Sequence, residues 1–203
     1  LLKTGKDEWG KSYPVSITSF GDQKLPGYIY TLIPFVAVFG LETWVVRLPS
    51  LLAGLAIILG MSLIASSVAR ALKLSEKSQL SLSLITMLLI AISPWQMHFS
   101  RVAYETHLAM AFFVLGLASF LPALTSPKSK QQRLPLIITG IFFALAMLTY
   151  HSYQIFVPLF VLLSLLIFKK KIFTLDKTGL GVAILSGLLA VFLLFQGGVM
   201  KAN

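Results

Sequence analysis

Long apolar runs at about residues 48–69, 79–96, 106–124, 134–150, 152–168 and 178–197 decide what this chain can fold into. Most approach the ~20 residues a helix needs to cross a hydrocarbon core of ~30 Å. Backbone N–H and C=O groups find no water in lipid, so such runs span as helices. The fourth and fifth runs are the shortest, and the fifth has Tyr153 as an interfacial anchor. The period-two alternation of a membrane barrel is absent. Hydrophobic residues make up 57% of the chain's 203 residues, and charged residues only 12%. A water-soluble domain of that length has no interior able to hide so much apolar surface. The expected fold class is all-α: a polytopic integral-membrane helical bundle of about six spans, with the lipid bilayer as its solvent.

The basic residues then set direction. Arg70, Lys73 and Lys77 follow the first run, Lys128, Lys130 and Arg133 the third, and Lys169, Lys170, Lys171 and Lys177 the fifth. The alternate connections, SPWQMHFSRVAYET and TYHSYQ, hold one basic residue, Arg101. Lysine and arginine are retained on the cytoplasmic side, so this asymmetry orients every span. The net charge of +10 is therefore read as an orientation device. No nucleic-acid partner is expected, because the charges form small clusters separated by spans rather than one face. Cysteine is absent, which excludes disulfides and thiolate chemistry. The chain starts at Leu1 without a signal peptide and stops after an apolar run, so it is read as an internal piece of a longer protein.

On this parity Arg47 and everything before it lie outside, with Arg101. The apolar stretch 27–41 would give only ~22 Å of helix, contains Pro34, and is followed by Glu42 and Thr43. It reads as an interfacial helix on the outer leaflet, with Tyr28, Tyr30, Phe35 and Phe39 at headgroup level. A short seventh span or a re-entrant hairpin is the alternative. Residues 1–46 are thus one external segment, and 47–203 the transmembrane helical domain. The expected location is the cytoplasmic membrane, multi-pass, with the active face external.

Polar candidates collect on that outer side. Lys24 stands before the interfacial helix, where a point charge and free backbone N–H groups favour an anion; beside Asp22 it equally suits a plain ion pair. Asp22 suits a general base or a sugar-hydroxyl ligand no better than that pair. Arg101 and Glu105 are spaced i, i+4 and would pair on one helical face, yet a charge such as Glu105 at the membrane boundary tends to be functional. His98, His107 and His151 reach the same side, but none has ligand-motif spacing, so they are read as interfacial polar anchors. No cofactor is expected, and nothing in the spacing supports a divalent metal. Asp7 and Glu8 read as a solvated loop. Gly179, Ala183 and Gly187 form a small-residue seam for close helix packing.

The stretch SFGDQKLPGYIYTLIPFVAVFGLETWVVRLPSLLAG resembles the first external loop and second span of the bacterial glycosyltransferase 39 / protein O-mannosyltransferase-like family, which has the GT-C fold and includes aminoarabinose transferases. The residues that carry the likeness are Asp22, Lys24, Pro26, Tyr28, Phe39, Gly40, Glu42 and the RLPS tetrad from Arg47 to Ser50. ISPWQMHFSRVAYET and TYHSYQIFVPL resemble later family segments, so the likeness runs the length of the chain. It implies transfer of a sugar from a polyprenyl-phosphate-linked donor to a protein, glycan or lipid acceptor outside the cytoplasmic membrane. It implies Asp22 near the reacting groups, Lys24 on the donor phosphate, and Arg101 and Glu105 lining the same cavity; from their place on the outer side, Arg101 is also assigned to the phosphate, and His98, His151 and Tyr153 to the substrate cavity. The family's principal catalytic aspartate belongs to a region before Leu1, so this piece alone is expected to be inactive. The rival readings are a transporter or lipid-carrier flippase, and a non-catalytic membrane scaffold.

Overall fold

The computed structural model of the chain describes residues 4–19, 22–126 and 129–196; Lys128 lies outside them. Two short strands, β1 (Ile17–Ser19) and β2 (Asp22–Lys24), pair antiparallel with Ile17 opposite Lys24. Helix α1 (Gly27–Phe39) follows Pro26 and stops at Gly40, whose φ of 79° suits a residue without a Cβ. Then come α2 (Thr43–Ala71), α3 (Glu76–Ala91), α4 (Pro94–Arg101), α5 (Glu105–Thr125), α6 (Ser129–Thr149), α7 (His151–Ile172) and α8 (Lys177–Gln196).

Helices α2, α5, α6 and α8 are long and apolar enough to cross a membrane; α3 and α4 make a fifth crossing if taken as one span bent by 59°. The bend has a local cause. Pro94 opens α4, and the residue before a proline is pushed out of the helical region: Ser93 sits at φ −62°, ψ 123°. The apolar run 79–96 is therefore not one straight helix. The run 152–168 lies in α7, and Phe168 at φ −107°, ψ 18°, its last residue, interrupts the helix before the lysines. The expected six spans become four continuous ones plus the bent pair, with α7 outside that set. The stretch read as interfacial is α1, a helix of 13 residues.

Close contacts fix the directions. A Cβ on Gly54 would come 3.5 Å from His107 Nε2, and one on Gly60 would come 2.7 Å from Val114, so α2 and α5 run parallel. Thr139 Oγ1 donates to the Gly116 carbonyl at 3.2 Å and Phe113 stacks on Phe143, so α6 returns antiparallel to α5. Gly179 abuts Arg133 and Gly140 abuts Ala183, so α8 starts at the same end as α6. Apolar burial between helices gains little in lipid; approach close enough for dispersion, through glycine and alanine, is what joins them.

Two ends result. The hairpin end holds the starts of α1, α2, α5 and α7, together with α4 and the β-hairpin. The lysine end holds the α2–α3, α5–α6 and α7–α8 connections. Asp176 caps α8 there: its Oδ2 accepts from the Gly179 N–H at 2.7 Å and from Arg133 Nε at 3.2 Å. Its own N–H donates to Gln132 Oε1 at 3.0 Å, and Gln132 Nε2 donates to the Ser126 carbonyl at 2.7 Å. This corner clasps the α5–α6 and α7–α8 connections together.

The small-residue seam is shorter than Gly179, Ala183 and Gly187 would make it. A Cβ at Gly140 would meet the backbone of Ala183 and come 2.7 Å from Ser186 Oγ, whereas nothing lies within 4 Å of one at Gly187. Gly140→Ala is expected to destabilise the bundle by about 1–3 kcal/mol through overpacking. Gly187→Ala is expected to be neutral or slightly stabilising through helix propensity. Unfolding of both variants in detergent micelles, followed by circular dichroism, measures the contrast.

Candidate functional site

The hairpin end is joined by a buried hydroxyl bridge. The Tyr28 hydroxyl on α1 lies 2.9 Å from the Val46 carbonyl and 2.9 Å from Ser50 Oγ. A phenol has one proton, so it donates to the carbonyl and accepts from the serine. Ser50 Oγ in turn accepts from the Tyr104 N–H at 3.4 Å. Tyr104 is the N-cap residue of α5, so one bridge couples α1, α2 and the start of α5. Burial pushes the Tyr28 phenol above its ordinary 10.0; the Ser50 contacts oppose this, and the Glu105 carboxylate adds to the rise.

Below the bridge lies a second polar group. Gln96 is buried and donates its Nε2 to the Gly54 carbonyl at 2.9 Å, which fastens α4 to α2. His107 is only 3% exposed, its ring stacks on Phe99 at 6.1 Å, and its Nε2 has no hydrogen-bond partner among the described residues. The histidine read as an interfacial anchor is thus a packed interior residue of α5. The opposite face of α4 points outward: Trp95 is exposed, as are His98, which meets Phe99 edge-on at 5.3 Å, and Arg101.

The hairpin itself is pinned to the bundle. His151 Nε2, in the first turn of α7, lies 3.1 Å from the Gln23 carbonyl and donates to it. Leu25 is buried against Leu194 and Leu148. Gly27 approaches Thr149 so closely that a Cβ there would come 2.7 Å from the Thr149 Cα. The strand carrying Asp22 and Lys24 is therefore held against the starts of α1 and α7. Lys24 is half-buried and engaged within the chain. The Asp22 backbone pairs with Ser19, and its side chain lies outside the described atoms.

Arg101 and Glu105 do not share a helix. Arg101 ends α4, Glu105 begins α5, and extended residues at 102 and 104 separate them, so the i, i+4 pairing face does not exist. The Arg101 side chain makes no hydrogen bond or ion pair among the described residues. Glu105 is half-buried, and its charge is felt at Tyr28. Tyr153 helps line an open cavity of about 550 Å³ with Thr106, Tyr150, Ser152 and Phe156. Two helix starts border that cavity. Neither Tyr104 at the start of α5 nor Tyr150 at the start of α7 supplies a side-chain cap, and the His107 and Tyr153 N–H groups donate to their carbonyls at 3.2 and 3.1 Å. Among the described residues, no three histidine or carboxylate side chains come together as metal ligands.

Nothing in the sequence alone marks Ser50 or Gln96 as part of this site. Ser50 stood inside RLPS, but its role depends on what packs over it, which no local pattern reveals. No protein-family model, curated protein or solved structure matches the chain.

Tyr28→Phe keeps the ring and deletes the bridge. A loss of about 1 kcal/mol is expected, with faster limited proteolysis of the β-hairpin. Ser50→Ala should behave alike, and the double variant should cost less than the sum because one network is broken twice. The raised phenol also fixes a pH direction. Its stabilisation is intact below about 10, the unfolded value, and is lost as pH rises through the folded one. Alkaline unfolding should therefore be shallower in Tyr28→Phe.

Proposed function

We propose that this chain is part of a membrane glycosyltransferase that moves a sugar from a polyprenyl-phosphate-linked donor to an acceptor at the outer face of the cytoplasmic membrane. The observation that carries this reading is the polar equipment of the hairpin end. A lysine-bearing strand is pinned by His151 to the start of α7, and an open cavity of hydroxyl and aromatic side chains adjoins two uncapped helix starts. Aromatic faces and hydroxyls suit a sugar ring, while cations and free N–H groups suit a phosphate. The six-span GT-C arrangement belongs to the same proposal, with α7 and the bent α3–α4 pair counted as crossings.

In the proposed reaction an acceptor hydroxyl or amine attacks the anomeric carbon, and the bond from that carbon to the phosphate oxygen breaks. Polyprenyl phosphate leaves with the electron pair. Lys24 and Arg101 neutralise the departing anion, a preorganised electrostatic role. Asp22 is the carboxylate this chain offers near the reacting groups. The principal base that takes the acceptor's proton is assigned to the longer protein that the resemblance implies. Glu105, His98, His151 and Tyr153 are assigned to the substrate cavity.

The 59° bend between α3 and α4 is the feature that favours a transporter or flippase, since such proteins use broken helices. The break lies at the hairpin end, where Gln96 docks on Gly54, rather than amid the apolar span centres. That placement supports the enzyme reading.

Transfer by the full-length protein in proteoliposomes, from a radiolabelled polyprenyl-phosphate sugar to a membrane acceptor extract, tests the proposal. Lys24→Ala and Arg101→Ala should each lower turnover by roughly 10²-fold, and Lys130→Ala at the lysine end should leave it unchanged. Wild-type turnover in both hairpin-end variants would remove their assigned role. Lipid translocation without any transfer would favour the flippase.

A further inference from the structure

Three consecutive lysines, Lys169, Lys170 and Lys171, close α7. Successive helical residues step about 100° around the axis, so three in a row sweep about 200° of circumference. Helix α7 packs on α6 and more lightly on α5, and most of its other residues are exposed. The three ammonium groups therefore spread over more than half of the helix circumference and do not share one side. All three lysines are exposed, and so are the apolar neighbours Leu166, Ile167 and Phe173, at 65%, 71% and 79%. Phe168 breaks the helix just before the lysines and offsets the final turn from the rest of α7.

The surroundings add positive charge and little negative charge. Lys73, Lys130 and Lys177 stand exposed at the same end of the bundle. Of the acids there, Glu76 is exposed, whereas Asp176 is buried and already held by Arg133. A cationic turn flanked by apolar side chains, placed where hydrocarbon meets water, has the chemistry of an electrostatic lipid contact. We propose that the last turn of α7 is a docking surface for anionic phospholipid headgroups of the adjoining leaflet. The apolar side chains enter the acyl region, and the ammonium groups reach the phosphates by snorkelling. This goes beyond orienting the chain. Orientation is fixed once, at insertion, whereas headgroup docking is a standing equilibrium preference that salt weakens.

Electron paramagnetic resonance of the full chain tests this in phosphatidylcholine bilayers carrying trace spin-labelled phosphatidylglycerol or spin-labelled phosphatidylcholine. The wild type should immobilise the anionic probe about threefold or more over the neutral one, and 1 M salt should largely abolish the preference. The triple variant K169Q/K170Q/K171Q should lose most of it, while Lys6→Gln with Lys11→Gln at the hairpin end should not. Equal immobilisation of both probes by the wild type, or an undiminished preference in the triple variant, overturns the proposal. Inorganic phosphate at matched ionic strength should leave the preference in place. Displacement by phosphate alone would assign the turn to a soluble anion, and overturns it too. None of these readouts depends on glycosyl transfer.

Discussion

A charge that cannot enter hydrocarbon is the constraint on which the rest of this structure depends. Lysines and arginines after α2, α5 and α7 hold three connections at one end of the bundle, and helices of crossing length then deliver the other connections to the opposite end. Everything that resembles chemistry is a consequence of that sorting. Asp22, Lys24, Arg101, Glu105 and His151 are far apart in sequence, yet each stands at or beside the beginning or end of a helix at the hairpin end.

Within that frame the helices are not held equally. The α2–α5 and α6–α8 pairs approach through Gly54, Gly60, Gly140 and Gly179, close enough for backbone and side chain to interlock. Helix α7 has no comparable glycine contact. It is joined to α6 chiefly through Val157 in the aromatic cluster around Phe113 and Phe143, and through Ile172 at the Asp176 corner. The tight pairs form a scaffold, and the looser α7 brings His151, Tyr153 and the lysine turn to its two ends. The hydroxyl bridge from Tyr28 through Ser50 to Tyr104 does for α1 what glycine packing does for the spans.

The helices were legible because an apolar run long enough to cross lipid has few alternatives. The direction of each helix was legible because the basic connections alternate. What escaped is tertiary or depends on one backbone angle. The proline in ISPWQ marks a break, but the apolar run continues through it, so hydropathy alone extends the span beyond the end of α3. The departure at Phe168 has no local signal. Arg101 and Glu105 have a spacing that would pair them on a helix, and the extended backbone between them removes the helix. Asp176 had a readable signature, an acid directly before the polar start of an apolar helix, yet its partners Gln132 and Arg133 lie more than 40 residues upstream. His107 looked like an interfacial anchor because histidine usually is one at a span boundary; burial under Phe99 is a property of the packed bundle.

For one site to hold the donor phosphate, Lys24 and Arg101 must share a compartment opposite the lysine end. Because the chain has no cysteine, single substitutions Lys24→Cys, Arg101→Cys and Lys170→Cys each introduce one reactive thiol. Intact cells treated with a membrane-impermeant maleimide should label the first two and spare the third until the membrane is opened. Labelling that separates position 24 from position 101 would contradict the account.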